Sequence, residues 1–203
     1  MPGRLFLTTP LHALGLGDAK AELERGKRLN IAPGQEVCTF DAEHGFSTMR
    51  WGIVPVGRVN ARGRPVMETV INARSETVFE KSAFDGVRRC VVPADGWYEW
   101  TGKKGKKQAH RIRRASGEPL FFAAICDVWT SPAATELWQV ATLTCEPNND
   151  VAPIHHRMSV ILEGAQIAKW LNGTQAEAAS LCNSLPDGLL HIEPADDVDW
   201  NGA

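Results

Sequence analysis

The clearest indication of the fold is the stretch RRCVVPADGWYEWTGKKGKKQAHRIRRASGEPLFFAAICDVW, residues 88–129. Within it, two runs rich in β-branched and aromatic residues, 88–100 and 110–129, flank the polar segment TGKKGKKQA at 101–109. Two such runs around a glycine-containing polar turn are typical of a β-hairpin. We therefore expect antiparallel strands to form the middle of the chain.

Outward from this hairpin, the sequence predicts more strands and a few helices. Strands or turn–strand units are predicted at 4–9, 30–40, 46–55, 136–146 and 157–162. Helices are predicted at 18–27, 163–171 and 174–183. Residues 56–69 are rich in Gly, Arg and Pro and are expected to form a loop. Together these elements predict an α+β fold, a single domain over 1–203 with strands in the middle and helices toward the ends.

The composition favours a globular protein of the cytoplasm. The 203 residues are 43% hydrophobic and include seven Trp, enough to form a sizeable core. No stretch approaches the ~20 apolar residues of a membrane helix, and the first residues lack the pattern of a secretory signal. The five Cys residues are odd in number and form no CxxC pair, which argues against a disulfide framework or a zinc site. We expect no metal, no cofactor and no contact with membranes.

Charge is unevenly distributed along the chain. The net charge is −2, but residues 172–203 hold six acidic residues and no Lys or Arg. We expect an acidic tail from about residue 184, which follows a helix near 175–183 and is mobile after Asp196. Seven Lys and Arg residues fall between 103 and 114. They could form a solvated hairpin tip that protects a sheet edge, or they could contact phosphates, and the sequence leaves both open.

Three polar stretches interrupt apolar surroundings: VINARSET (70–77), DGWYEW (95–100) and APIHHRMSVIL (152–162). Taken singly, Asn72 could be a turn residue, Glu99 an exposed strand position and His155 a loop residue. Taken together they suggest chemistry, because a carboxylate between aromatic residues has a raised pKa when it is buried and then suits a general acid or base. A histidine could move the proton, and an asparagine could orient a substrate oxygen.

These stretches belong to a longer ordered series that resembles the SRAP (SOS-response-associated peptidase) family of abasic-site processing proteins. The matching motifs are GR at 3–4, NIAP at 30–33, MRWGIVP at 49–55, NARSET at 72–77, RRCVVPADGWYEW at 88–100, GEPLFFAAICDVW at 117–129, TLT at 142–144 and APIHHRMSVIL at 152–162. The resemblance implies one domain around a barrel-like, mostly antiparallel sheet with peripheral helices. It also implies single-stranded DNA with abasic sites as the partner, bound by a monomer that associates with the nucleoid through DNA.

The resemblance assigns roles to individual residues. Asn72, Glu99 and His155 correspond to the residues that shape the pocket and move protons. Arg4, Arg74 and Arg157 correspond to DNA-contacting arginines. A second group, Pro33 and Trp51, corresponds to the wedge that unstacks bases.

Position 2 departs from the family, and it is the position of the nucleophile. Family members begin Met-Cys-Gly-Arg, and the exposed Cys closes a thiazolidine ring on the sugar aldehyde; this chain begins Met-Pro-Gly-Arg. If Met1 is removed, Pro2 carries a secondary amine that could form an iminium with the aldehyde. If that chemistry is lost, the alternative is a non-covalent binder of single-stranded or damaged DNA. A third reading is the peptidase activity of the family name, for which the sequence offers no typical nucleophile.

Overall fold

A computed structural model describes residues 2–23, 26–55, 69–103, 105–130 and 134–201, without the side chain of residue 22. Over these residues the chain forms the following strands and α-helices: β1 (Arg4–Leu7), β2 (Arg28–Ile31), β3 (Glu36–Asp41), β4 (Gly45–Trp51), β5 (Asn72–Arg74), β6 (Arg88–Ala94), β7 (Gly96–Lys103), β8 (Lys106–Arg114), β9 (Leu120–Thr130), β10 (Glu136–Cys145), β11 (Met158–Ser159), α1 (Gly164–Asn172), α2 (Gln175–Ser180) and β12 (Leu190–Pro194). The predicted loop at 56–69 falls, except for Thr69, outside the described residues. No α-helix among the described residues is long and apolar enough to cross a bilayer.

Five strands close into a ring. The order is β10, β4, β3, β6, β9 and back to β10, with every contact antiparallel except the parallel pairing of β10 with β4. A second sheet has the order β12–β8–β7–β1–β2. Its central hairpin, β7–β8, is the one that the sequence predicts, with Lys103 paired to Lys106 at the tip. The predicted α+β fold around a barrel-like antiparallel sheet is confirmed.

Aromatic side chains fill the interior between the sheets. Trp97 of β7 and Phe122 of β9 are fully buried and meet edge to face, with ring centroids 5.8 Å apart. Helix α1 packs on the ring through Trp170, whose indole N–H donates to the carbonyl of Cys90 in β6. Gly96 is required in β7, because a Cβ there would lie 2.1 Å from the carbonyl oxygen of Ile112 in the neighbouring strand β8.

The two late helices form as predicted, but the early one does not. Helix α2 begins with a capping box in which Thr174 and Glu177 satisfy each other's backbone amides. In contrast, residues 18–27 contain only a 3₁₀ turn at Ala21–Leu23 over the described part of that segment. Gly26 has φ +67°, a left-handed conformation that ends a helix.

The described part of the acidic tail packs against the second sheet as far as Trp200, and mobility after Asp196 stays a prediction. Strand β12 pairs with β8, and the backbone of Ala195 continues the pairing through a hydrogen bond to Ala109. Trp200 then packs edge to face on Tyr98 and Trp100, at centroid distances of 4.9 and 5.1 Å. The tail thus covers the outer face of the second sheet, where its apolar residues Ala195, Val198 and Trp200 pack in one cluster with Tyr98.

Candidate active site

Strand β10 brings the polar segments together. Strand β5 pairs in parallel with it, so that Asn72 lies opposite Thr142 and Arg74 opposite Thr144. Strand β11 pairs with the end of the same strand, with Ser159 opposite Thr144. The NARSET and HHRM motifs, about 80 residues apart in sequence, therefore meet at one end of β10.

Asn72 is held in one orientation by hydrogen bonds at both ends of its amide. The hydroxyl of Thr142 donates to Asn72 Oδ1 at 2.6 Å, and Asn72 Nδ2 donates to the carbonyl oxygen of Pro2 at 2.8 Å. Thr142 is fully buried. Asn72 therefore positions the N-terminal segment directly, and Thr142 fixes which end of the amide faces it.

Thr142 is a residue that the sequence analysis noted only as part of the TLT motif, with no role. A threonine in a buried strand carries no chemical signal of its own. Only the pairing of β5 with β10 shows that its hydroxyl orients Asn72.

Glu99 is a buried carboxylate. Its residue is 4% exposed, on the strand that also carries Trp97 and Trp100. Burial raises the pKa of Glu99, against a smaller lowering by the positive charge of the N-terminal amine. A carboxyl whose pKa is raised toward neutrality suits proton transfer.

His155 is half-buried and stacked on His156, with ring centroids 4.4 Å apart. Its Nδ1 lies 3.0 Å from the backbone N–H of Arg157 and 3.1 Å from that residue's carbonyl oxygen. Burial lowers the pKa of His155, and the charge of the N-terminal amine lowers it further. Because the same amine perturbs Glu99 and His155, and Asn72 holds Pro2, the four sequence-predicted residues of the centre converge on the N-terminal segment.

An open cleft of about 740 Å³ begins beside Asn72. Its wall includes two exposed cationic side chains, Arg74 and Lys81, and one carboxylate, that of Glu80. The cations outnumber the carboxylate, which fits an anionic ligand that reaches Asn72.

The other sequence-predicted DNA contacts fall in three different settings. Pro33 is exposed on the turn between β2 and β3. Arg4 is half-buried on β1, and its Nε has no hydrogen-bond partner among the described residues. The remaining two, Trp51 and Arg157, are buried.

Trp51 is buried in this structure, and its predicted place in the wedge is not tested by it. Its residue is 0% exposed, and its indole N–H donates to the carbonyl of Ile71 at 2.9 Å. Its own carbonyl accepts from the amide of Gly34. The large apolar ring is buried in the core, so in this structure Trp51 supports the Pro33 turn and the Asn72 strand.

Arg157 is engaged within the protein. Its guanidinium donates to both oxygens of Glu76, at 2.6 and 2.8 Å, and to the carbonyl of Thr144 at 2.5 Å. The residue is 9% exposed. Its role as a DNA contact stays a prediction.

The hairpin tip still allows both of its sequence-based interpretations. Lys103, Lys106 and Lys107 are exposed there, which fits either a solvated tip or a phosphate contact.

No cluster of three or more His, Cys, Asp or Glu side chains with the spacing of a metal site occurs in the described part of the chain.

Comparison with known proteins gives the same fold and a family. A structure from Bacteroides thetaiotaomicron matches with a TM-score of 0.81 at 21% identity, over 96% of this chain and 92% of that one. A phage-related protein from Bordetella bronchiseptica matches with a TM-score of 0.70 at 27% identity, over 96% and 94% of the two chains.

Two curated relatives are named as abasic site processing proteins. YoqW of Bacillus subtilis is 32% identical over an alignment of 177 positions, which covers 84% of this chain and 75% of that protein. HMCES of Gallus gallus is 34% identical over an alignment of 181 positions, which covers 77% of this chain and only 52% of that longer protein. The family model for SOS response associated peptidase (SRAP) matches residues 1–198. With this match over nearly the whole sequence, the chain belongs to the SRAP family.

Proposed function

We propose that this protein processes abasic sites in single-stranded DNA, and that it senses the ring-opened aldehyde through the amine of Pro2 once Met1 is removed. The observation that carries the proposal is the hydrogen bond from Asn72 to the Pro2 carbonyl. The charge of the N-terminal amine, which precedes Pro2 while Met1 is attached, lowers the pKa values of both Glu99 and His155 and so supports their nearness to this end of the chain. The names of YoqW and HMCES support the lesion as the target.

The proposed reaction begins with addition of the Pro2 nitrogen to the aldehyde carbon C1′. The nitrogen lone pair forms the new N–C bond, the amine loses its proton, and the carbonyl oxygen becomes a hydroxyl. Protonation of that hydroxyl by Glu99 or His155 lets it leave as water, which produces an iminium. Because Pro2 contributes no thiol, no thiazolidine can form.

The iminium can then react in two ways. Water can add to it and reverse the adduct. Alternatively, Glu99 or His155 removes a proton from C2′, the C–H electrons form an enamine, and the 3′ phosphate leaves from C3′ with the electrons of its C–O bond. The second route cleaves the strand, and hydrolysis afterwards releases the sugar fragment and restores the amine. We therefore expect a reversible adduct and strand cleavage in place of a permanent cross-link.

The cleft provides the binding component. Arg74 and Lys81 lie along the wall that begins at Asn72, where they can hold phosphates next to the lesion. Arg4, with an unsatisfied Nε, is proposed as a further phosphate contact, and the exposed Pro33 turn as the element that separates adjacent bases.

Position 2 itself favours a second candidate function, that of a non-covalent DNA binder. While Met1 is attached, the Pro2 nitrogen is a tertiary amide and has no nucleophilic lone pair. The peptidase reading has less support, because burial raises the pKa of Cys145 to about 12 and that of Cys182 to about 11, which makes these thiols poor nucleophiles.

A borohydride trap tests the proposal. Protein whose Met1 status is fixed by intact mass is mixed with a single-stranded oligonucleotide that carries one abasic site, and reductant is added. We expect a covalent species on a denaturing gel that requires the reductant and is absent when the Pro2 amine has been acetylated. A Met1-free protein that binds the oligonucleotide but yields no trapped species would establish the non-covalent function instead.

A further inference from the structure

His156 carries an exposed aromatic ring directly beside the candidate proton-transfer residue. Its imidazole stacks on that of His155, with ring centroids 4.4 Å apart and an angle of 26° between the planes. Within the described part of the chain, His155 is the only aromatic ring that His156 contacts. One face of the His156 ring therefore lies on His155, and the opposite face is available to a planar group.

The His156 ring is also part of the wall of the open cleft of about 740 Å³. The same wall includes two half-buried apolar side chains, Val70 and Phe84, and the two exposed cations, Arg74 and Lys81. A nucleobase needs flat or apolar surface, whereas a phosphate needs positive charge. The cleft offers both kinds of surface on different side chains, which fits a nucleotide.

We propose that His156 is the binding residue for the nucleobase next to the abasic site, and that this base stacks on the face of the ring opposite His155. The proposal rests on the proposed function, because proton transfer by His155 at the lesion sugar is what brings the neighbouring nucleotide to His156. Successive nucleotides of a stacked strand are about 3.4 Å apart along the axis. A ring that lies 4.4 Å from His155 is therefore within about one nucleotide of the lesion.

The lesion itself gives a physical reason for an aromatic ring at this place. A strand with an abasic site lacks one base, so each base beside the gap loses a stacking partner. An aromatic side chain can replace that partner, and it does so for any sequence, because every base has a π-face. Stacking on His156 would thus add affinity for an abasic strand without selecting the neighbouring base.

A contact between His156 and a phosphate is the competing role. Arg74 and Lys81 already supply positive charge on the same wall, whereas the stacked ring adds a flat aromatic face. His156→Phe separates the two roles, because it keeps the flat ring and removes both ring nitrogens. Stacking predicts that this variant keeps its affinity for DNA. A phosphate contact predicts a loss of affinity together with a shallower salt dependence.

The experiment is a thermodynamic cycle between His156 and the neighbouring base. The probe is a single-stranded oligonucleotide with one tetrahydrofuran residue, a stable abasic analogue that has no aldehyde. In two further oligonucleotides the nucleotide on the 3′ or the 5′ side is also tetrahydrofuran, which removes its base and keeps its phosphate. Dissociation constants are measured by fluorescence anisotropy.

We expect removal of one of the two neighbouring bases to weaken binding by the wild-type protein roughly tenfold, which is within the range for one base–aromatic stacking contact. His156→Ala should bind the oligonucleotide with both neighbours present equally weakly, and it should lose nothing more when that base is removed. His156→Leu, which keeps apolar bulk without a flat ring, should behave in the same way and substitutes if the Ala variant does not fold.

His44→Ala is the matched control. His44 is also exposed, and its ring also contacts an aromatic ring, that of Trp138 at 5.3 Å, but it lines a different pocket. This variant should bind each oligonucleotide as the wild-type protein does and should show the full effect of base removal.

The proposal would be overturned if wild-type protein and folded His156→Ala had equal affinities, or if base removal weakened both by the same factor. A loss in His156→Phe as large as that in His156→Ala, with a shallower salt dependence, would overturn it in favour of the phosphate contact. Because tetrahydrofuran has no aldehyde, these results do not depend on the amine of Pro2. A protein that shows the cycle but never forms a trapped adduct would refute the covalent function and leave the stacking site in place. A wild-type protein that binds none of the oligonucleotides would refute both.

Discussion

Two arginine–carboxylate pairs have similar geometry in different surroundings. Arg157 contacts Glu76 at 2.6 and 2.8 Å, and Arg111 contacts Asp197 at 2.8 and 3.0 Å, across sequence separations of 81 and 86 residues. The side chains of Arg157 and Glu76 are 10% and 47% exposed, whereas those of Arg111 and Asp197 are 19% and 70% exposed. Both carboxylates reach solvent, and the outer pair is the more exposed at each partner. Bidentate geometry therefore does not by itself reveal what a pair contributes, because solvent weakens an ion pair in proportion to its exposure.

Strand β7 lies between these two regions and has one face in each. Tyr98 and Trp100 face the tail and pack against Trp200, whereas Trp97 belongs to the main core. Side chains alternate along a strand, so Glu99 is on the same face as Trp97. The comparison can thus be tested by changing single residues on each face.

The largest effect is expected for Glu99→Gln. Strand cleavage at an abasic site should fall about 100-fold, the lower range for loss of a general acid or base, while DNA affinity is retained. A gel assay of product formation against pH measures this. The rate of the wild-type protein should rise as the Glu99 carboxyl loses its proton, and it should do so above pH 4.5, because burial raises the pKa of this carboxyl from that usual value.

Stability provides a control for the same substitution. A raised pKa in the folded state means that Glu99 contributes stability below pH 4.5, which is lost as the pH rises through the folded-state value. Denaturant titrations should show that the free energy of unfolding of the wild-type protein falls as the pH rises through this range and that the free energy of unfolding of Glu99→Gln does not. If Glu99→Gln is instead less stable than the wild-type protein at neutral pH, the carboxylate also supports the fold.

On the outer face, Trp200→Ala should reduce the free energy of unfolding by about 2 kcal/mol, because the ring packs on Tyr98 and Trp100. Urea unfolding measures the change. Adduct formation should be unaffected, and a large loss of activity would mean that the tail and the active site are coupled.

Within the active site, Thr142→Val should cost about 1 kcal/mol of stability and several-fold in adduct formation, because Asn72 Oδ1 loses its donor. Thr39→Val is the matched control, since Thr39 is also fully buried and hydrogen-bonded, to Ser47 on the neighbouring strand. Both variants should lose stability in a thermal unfolding assay, but only Thr142→Val should slow the reaction. Equal rates in the two variants would remove Thr142 from the site.

The smallest effect is expected for Asp197→Asn. Its carboxylate is exposed and screened by solvent, so the midpoint of urea unfolding should not change measurably, and added salt should make no difference. A clear shift in the midpoint would mean that the charge pair, and not Trp200, holds the tail.

Sequence patterns were most informative where the signal is local. The β7–β8 hairpin follows from two apolar runs around a polar turn, and α2 follows from the Thr174 and Glu177 capping residues. The helix predicted at 18–27 does not form in the described part of that segment, where only a 3₁₀ turn occurs although Ala19 and Leu23 pack against a small apolar cluster. Nor did the acidic composition of the tail indicate that Trp200 packs on Tyr98. Burial depends on the partner surface, which composition does not contain.

The residue patterns alone pointed to Asn72, Glu99 and His155 as candidates, to an antiparallel fold, and to the lack of a thiol at position 2. The contact of Thr142 with Asn72, the burial of Trp51 and the pairing of Arg157 with Glu76 became visible only in the folded chain. The physical reason is that these assignments depend on the pairing of β5, β10 and β11, which joins residues about 70 to 80 positions apart. A side chain's type limits the bonds it can make, but the partners that the fold brings within reach determine which of them form.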